Sequence, residues 1–160
     1  MLDTAYDHPH LALAHRYGPN VHILSDPWGL TVSARLGDPH TPFPEFHHLL
    51  RAAFRRLLHA ATARLPTRHD VRATRMTEVE PRALLRGTFL DPEAPAVVVD
   101  IARAGMVPSH EVQLALMDVL RPEAVRVDHL YLSRVSDPAT GHVTGVSFFG
   151  SKVGGPVAGA

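Results

Sequence analysis

A run of branched apolar residues, Ala96-Val97-Val98-Val99-Asp100-Ile101, constrains this chain more than any other feature in it. A short apolar run without polar alternation suits a strand buried on both faces, the usual state of parallel strands. The turn Asp91-Pro92-Glu93-Ala94-Pro95 precedes it. A helix is predicted over 108–120, with Pro108 near its start and Val112, Ala115, Leu116, Val119 and Leu120 along one side. Pro122 lies just beyond its end, and Val125 to Leu132 reads as the next strand. Strand, helix and strand in this span make a βαβ unit, so the two strands are predicted parallel and adjacent. The turn Asp137-Pro138-Ala139-Thr140-Gly141 then joins a strand at 130–135 to one at 143–149, giving a β-hairpin. The expected fold is α/β, with a partial parallel sheet and flanking helices.

Upstream, the apolar residues Phe46, Leu49, Leu50, Ala53, Phe54, Leu57, Leu58, Ala61 and Leu65 recur at helical steps, which predicts a helix over 44–65 closed by Pro66. Arg51, Arg55 and Arg56 fall on its solvated side. Residues 71–75 and 84–90 read as extended segments around the acidic stretch Glu78 to Glu80. Residues 21–36 read as a short apolar stretch, a turn at Asp26-Pro27-Trp28-Gly29 and another extended piece. Residues 1–20 read as an N-terminal arm, 21–153 as one domain and 154–160 as a flexible tail.

The 160 residues hold no cysteine, which removes disulfides, thiolate zinc sites and thiol nucleophiles. Sixteen basic residues balance sixteen acidic ones, so the footprint of a nucleic-acid binder is absent. No apolar run approaches the ~20 residues of a membrane span, and the N-terminus is unlike a secretory signal, so a cytoplasmic location is expected. Lys152 is the sole lysine; positive charge is otherwise carried by arginine, whose planar fork suits phosphate and carboxylate.

In an open α/β sheet, ligands bind beyond the carboxyl ends of the strands. Arg103-Ala104-Gly105-Met106 follows the strand at 96–101, and Arg134 follows the strand at 125–132. Gly105 lets the loop backbone approach a ligand, and amides before a helix favour anions. Arg103, Ala104, Gly105 and Arg134 are therefore candidates for binding a small phosphorylated or anionic ligand. Asp100, His110 and Glu111, close to the same loop, are candidates for acid–base chemistry. His8, His10 and His15, and the pair His47 and His48, lack metal-ligand spacing, so no metal centre is expected.

At these residues the chain resembles the uracil phosphoribosyltransferase family. The segment Val97-Val98-Val99-Asp100-Ile101-Ala102-Arg103-Ala104-Gly105-Met106 is similar to the apolar strand and Pro-Ile-Leu-Arg-Ala-Gly loop of that family. Leu130-Tyr131-Leu132-Ser133-Arg134 is similar to its strand ending in Tyr-Arg, and Ser136 to Gly141 to the hairpin flap after it. Val21 to Pro27 resembles its His-Pro opening, and Leu57 to Thr62 its Leu-Leu-x-Tyr-Glu-Ala-Thr segment, so the likeness covers about 21–153. The resemblance implies a partial type I phosphoribosyltransferase-like sheet and a place in nucleotide metabolism and pyrimidine salvage. It implies that Arg103 and Arg134 hold the diphosphate of phosphoribosyl diphosphate, with Mg2+ accompanying that ligand when bound. It also implies a cis peptide just after Arg103.

The sequence departs from that pattern in two ways. Nothing matches the family's Ala-Thr-Gly-Gly-Ser ribose-phosphate loop or its Gly-Asp-Ala uracil segment; Asp137 to Gly141 imitates the former but sits where the flap turn belongs. The proline of the Pro-Ile-Leu-Arg motif is Asp100 here, a carboxylate that would repel a diphosphate unless turned away or bridged by a cation. The expectation is a divergent member with an inherited anion cleft that does not alone transfer ribose phosphate to uracil. Glycosyl transfer would need a partner or a further C-terminal half. Alternatives are a repurposed biosynthetic enzyme using Asp100, His110 and Glu111, and a non-catalytic or partner-completed subunit. Uncovered sheet edges favour a homodimer or a heteromeric partner.

Overall fold

A computed structural model of the protein describes residues 13–156; the part of the expected arm at 1–12, including His8 and His10, and the part of the expected tail at 157–160 lie outside them. The chain divides into two compact units, Met1–Arg64 and Leu65–Ala160.

The first unit carries two helices, α1 (Pro27–Gly37) and α2 (Phe43–Thr62). Helix α2 meets the sequence expectation, whereas α1 corrects it: the turn and extended piece read over 26–36 are one helix. Asp26 stands in an extended conformation as N-cap and accepts from the Gly29 amide at 3.1 Å, and Pro27 occupies the first turn. A carboxylate cap satisfies an amide that the helix leaves orphaned, and proline is preset for that turn. The same Asp26 carboxylate pairs with Arg56 on α2, whose guanidinium also lies 5.6 Å from the Trp28 ring centroid. Val32 and Leu49 are buried in this unit.

In the second unit, β1 (Thr67–Ala73) and β2 (Leu84–Leu90) form an antiparallel pair around a short 3-10 turn at Arg75–Glu78. A second sheet has the order β3-β4-β5, where β3 is Ala96–Ala102, β4 is Val125–Ser136 and β5 is Val143–Lys152. Strands β3 and β4 are parallel from Ala96↔Val125 to Ala102↔Tyr131, and α3 (Met106–Met117) connects them. The second unit is thus α/β, with a parallel pair, a helix packed on it and the expected hairpin. In that hairpin Asp137 accepts from the amides of Ala139 and Thr140, and Gly141 takes a positive φ of 72°. Asp137 to Gly141 is therefore a reverse turn.

Helix α3 packs on β3 and β4 and buries Ala115 and Leu116. It covers one sheet face only. Alternation along β3 puts Val99 and Ile101 on the opposite face, where they are 53% and 52% exposed, so the strand is not buried on both sides as its composition predicted. Near the C-terminus, residues 154–156, read from sequence as tail, are tied to β4. Asp128, 1% exposed, accepts from Arg126 at 3.0 Å and from the Gly154 amide at 2.9 Å. Arg126 in turn donates to the carbonyls of Gly155 and Pro156.

Candidate functional site

The βαβ crossover delivers its loop to the carboxyl end of β3. Arg103 and Ala104 are exposed there, and Gly105 is half-buried directly before α3. The loop folds back tightly on the strand it leaves: the Gly105 amide donates to the Ile101 carbonyl at 2.9 Å, and the Met106 amide to the Arg103 carbonyl at 3.2 Å. A β-carbon at Gly105 would stand 2.8 Å from Asp100 Cβ and 2.9 Å from both the amide nitrogen and the carbonyl oxygen of Ile101. Backbone cannot yield to such an intrusion, so this position requires glycine for close approach. A cis peptide lies here, between Ala102 and Arg103, one bond before the place the family resemblance implies.

Among the described residues neither Arg103 nor Arg134 has a hydrogen-bond or ion-pair partner, and both are exposed. They do not share a setting. Arg103 sits in the loop between β3 and α3. Arg134 lies three residues past Tyr131, the last β4 residue paired with β3, and opposite Val146 of β5. Alternation along β4 gives it the side of Leu130 and Leu132, away from His129.

The acid–base candidates also separate. Asp100 and Glu111 are buried at 5% and 4% exposure, while His110 is exposed. No hydrogen bond joins Asp100 to His110 among the described residues. Asp100 instead accepts from Ser109 Oγ at 2.5 Å and from His129 Nδ1 at 2.9 and 3.0 Å. His129 is the β4 residue paired with Asp100 in the parallel register, and Lys152 of β5 is paired with His129. Carboxylate, imidazole and ammonium thus form one row across three neighbouring strands, and paired residues put their side chains on a common face. The sequence carried no sign of this row, because 29 residues separate Asp100 from His129 and only the strand register joins them. No group of three or more His, Cys, Asp or Glu suited to a metal ion occurs among the described residues.

No family model and no curated protein matches the chain. Its fold is similar to the structure of AQ2163 protein from Aquifex aeolicus, with a TM-score of 0.54, 18% identity and coverage of 81% of this chain. The chain spans 54% of the length of that protein. At this identity the likeness concerns the fold alone.

Proposed function

We propose that the Arg103-Ala104-Gly105 loop binds a phosphate or diphosphate group, and that the chain is a divergent relative of the uracil phosphoribosyltransferases. The observation that carries this reading is the seating of the loop. Gly105 is pressed against Asp100 and Ile101 immediately before the first turn of α3, and the exposed Arg103 stands beside it without a partner among the described residues. The Gly105 and Met106 amides are engaged by the Ile101 and Arg103 carbonyls, so the free guanidinium is the group complementary to an anion. The buried Asp100 carboxylate is turned to Ser109 and His129, which relieves the repulsion that its sequence position suggested. Arg103 leaves β3 directly into the glycine loop, whereas Arg134 lies in the hairpin opposite Val146, so Arg103 carries the larger share. Transfer of ribose phosphate to uracil is not expected of these residues alone, since no segment reads as the second phosphate loop.

Calorimetric titration with pyrophosphate tests the reading. Hydrogen bonds to a charged group contribute ~1.5–3 kcal/mol, so Arg103→Ala should weaken binding roughly tenfold to a hundredfold or more. Arg103→Lys should recover only part of it, because lysine lacks the planar fork. Arg86→Ala, on β2, is the control and should bind as the parent does. Equal binding by Arg103→Ala and the parent would overturn the proposal.

A further inference from the structure

We propose that His129 is a proton-transfer site, held by Asp100 and Ser109 and flanked by Lys152, acting on a small anionic substrate that carries an ionisable hydroxyl. This goes beyond the anion-binding role of the loop and uses residues outside it.

The geometry has three parts. Asp100 is buried, with its side chain 3% exposed, and a buried carboxylate needs donors. Ser109 Oγ at 2.5 Å and His129 Nδ1 at 2.9 Å supply them. A carboxylate only accepts, so Nδ1 carries the hydrogen and the lone pair of the neutral ring resides on Nε2. A carboxylate on Nδ1–H fixes the tautomer and orientation of an imidazole and stabilises the imidazolium that forms when Nε2 takes a proton. The second part is access. The His129 side chain is 27% exposed, and Nε2 has no partner among the described residues. The third part is charge. Lys152, exposed and opposite His129 on β5, has no hydrogen-bond or ion-pair partner among the described residues. An ammonium at this cross-strand distance draws a phosphate or carboxylate to the imidazole.

In the step that follows, the substrate O–H bond breaks, its electron pair stays on the oxygen, and the proton bonds to Nε2. The imidazolium next to Asp100 then returns that proton to the product or to water, so neither oxidant nor metal is required. Asp100 and Ser109 are positioning residues in this scheme, since His129 and Lys152 are the groups that meet the substrate.

Nitrogen NMR of the full chain reads the proposal directly, with His129 signals assigned by their loss in His129→Gln. The expected result is the tautomer protonated at Nδ1 when the ring is neutral, together with carbethoxylation of His129 by diethyl pyrocarbonate. Asp100→Asn should shift the ring toward the tautomer protonated at Nε2 and slow carbethoxylation about tenfold. Ser109→Ala, which removes one hydroxyl, should produce a smaller shift of the same sign and serves if Asp100→Asn fails to fold. Inorganic phosphate should perturb the His129 signals in the parent and not in Lys152→Ala. Arg103→Ala should leave the tautomer unchanged, so loss of pyrophosphate binding in that variant and failure of the His129 site are separate results. A neutral His129 protonated at Nε2 in the folded parent, or a His129 inert to the reagent while His110 reacts, would overturn the proposal. So would phosphate shifts that survive in Lys152→Ala.

Discussion

Gly105 shows how one missing side chain fixes a site. An added methyl would meet Asp100 Cβ at 2.8 Å and two Ile101 backbone atoms at 2.9 Å, none of them the loose end of a side chain. Overpacking of this kind costs about 1–3 kcal/mol. Gly105→Ala should therefore lower the melting temperature by several degrees and weaken pyrophosphate binding, because the loop must lift from β3 to make room. A variant with the parent's melting curve and affinity would refute the close approach. Arg103, Ala104 and Gly105 were legible as a candidate loop because they lie between a strand's carboxyl end and a helix, where α/β sheets bind ligands. The partners of Asp100 were not. Proximity in sequence suggested His110 and Glu111, whereas Asp100 points to α3 and across to β4, where Ser109 and His129 meet it.

At the scale of elements, local chemistry decided what hydrophobic pattern could not. Helix α2 was visible from its apolar stripe, and β3, α3 and β4 from a branched run, a periodic segment and a second apolar run. Helix α1 escapes the sequence pattern because its apolar periodicity is weak and an Asp-Pro start also suits a turn. Asp26 accepts from the Gly29 amide and is paired with Arg56, and together these hold its carboxyl below the usual carboxylate range. Asp26→Ala should lose both contacts, lower helix content by circular dichroism and drop the melting temperature by a few degrees. An unchanged spectrum and melt would remove the cap from the account of α1. Asp128 on β4 makes an analogous connection to residues 154–156. The Gly154 amide first, then Arg126, hold its carboxyl below the ordinary value, against the opposing effect of desolvation. A carboxyl lowered in the folded state contributes stability above its unfolded pKa of about 3.8, and that stability is lost as pH falls below it. Asp128→Asn should accordingly be less stable than the parent at neutral pH and should show a flatter loss of stability between about pH 5 and 2. Parallel acid-unfolding curves for parent and variant would show that Asp128 contributes nothing to that limb.

For the whole molecule, the three-stranded sheet poses the remaining physical question. Strand β4 is its middle strand, so β3 and β5 each present an outer edge that no described strand pairs. Unpaired edges are templates for association unless charge, proline or a covering element blunts them. Here β3 carries a single charge, Asp100, which is buried and committed to Ser109 and His129. Apolar groups also remain exposed on the same sheet: Val99 and Ile101 on β3, and Val146, Phe148 and Phe149 on β5. Phe148 and Phe149 are 60% and 71% exposed, costly for a chain living alone in water. A second copy of the same sheet would cover these groups. The expected state is a homodimer, with light scattering giving about twice the 17.5 kDa chain mass at micromolar concentration. Phe148→Asp and Phe149→Asp in one chain should shift the mass toward one copy while the circular dichroism spectrum stays that of the parent, since neither ring is buried in the fold. A parent chain that remains a compact monomer at high micromolar concentration would show that these edges are tolerated bare, and the dimer would then have no basis in the sheet.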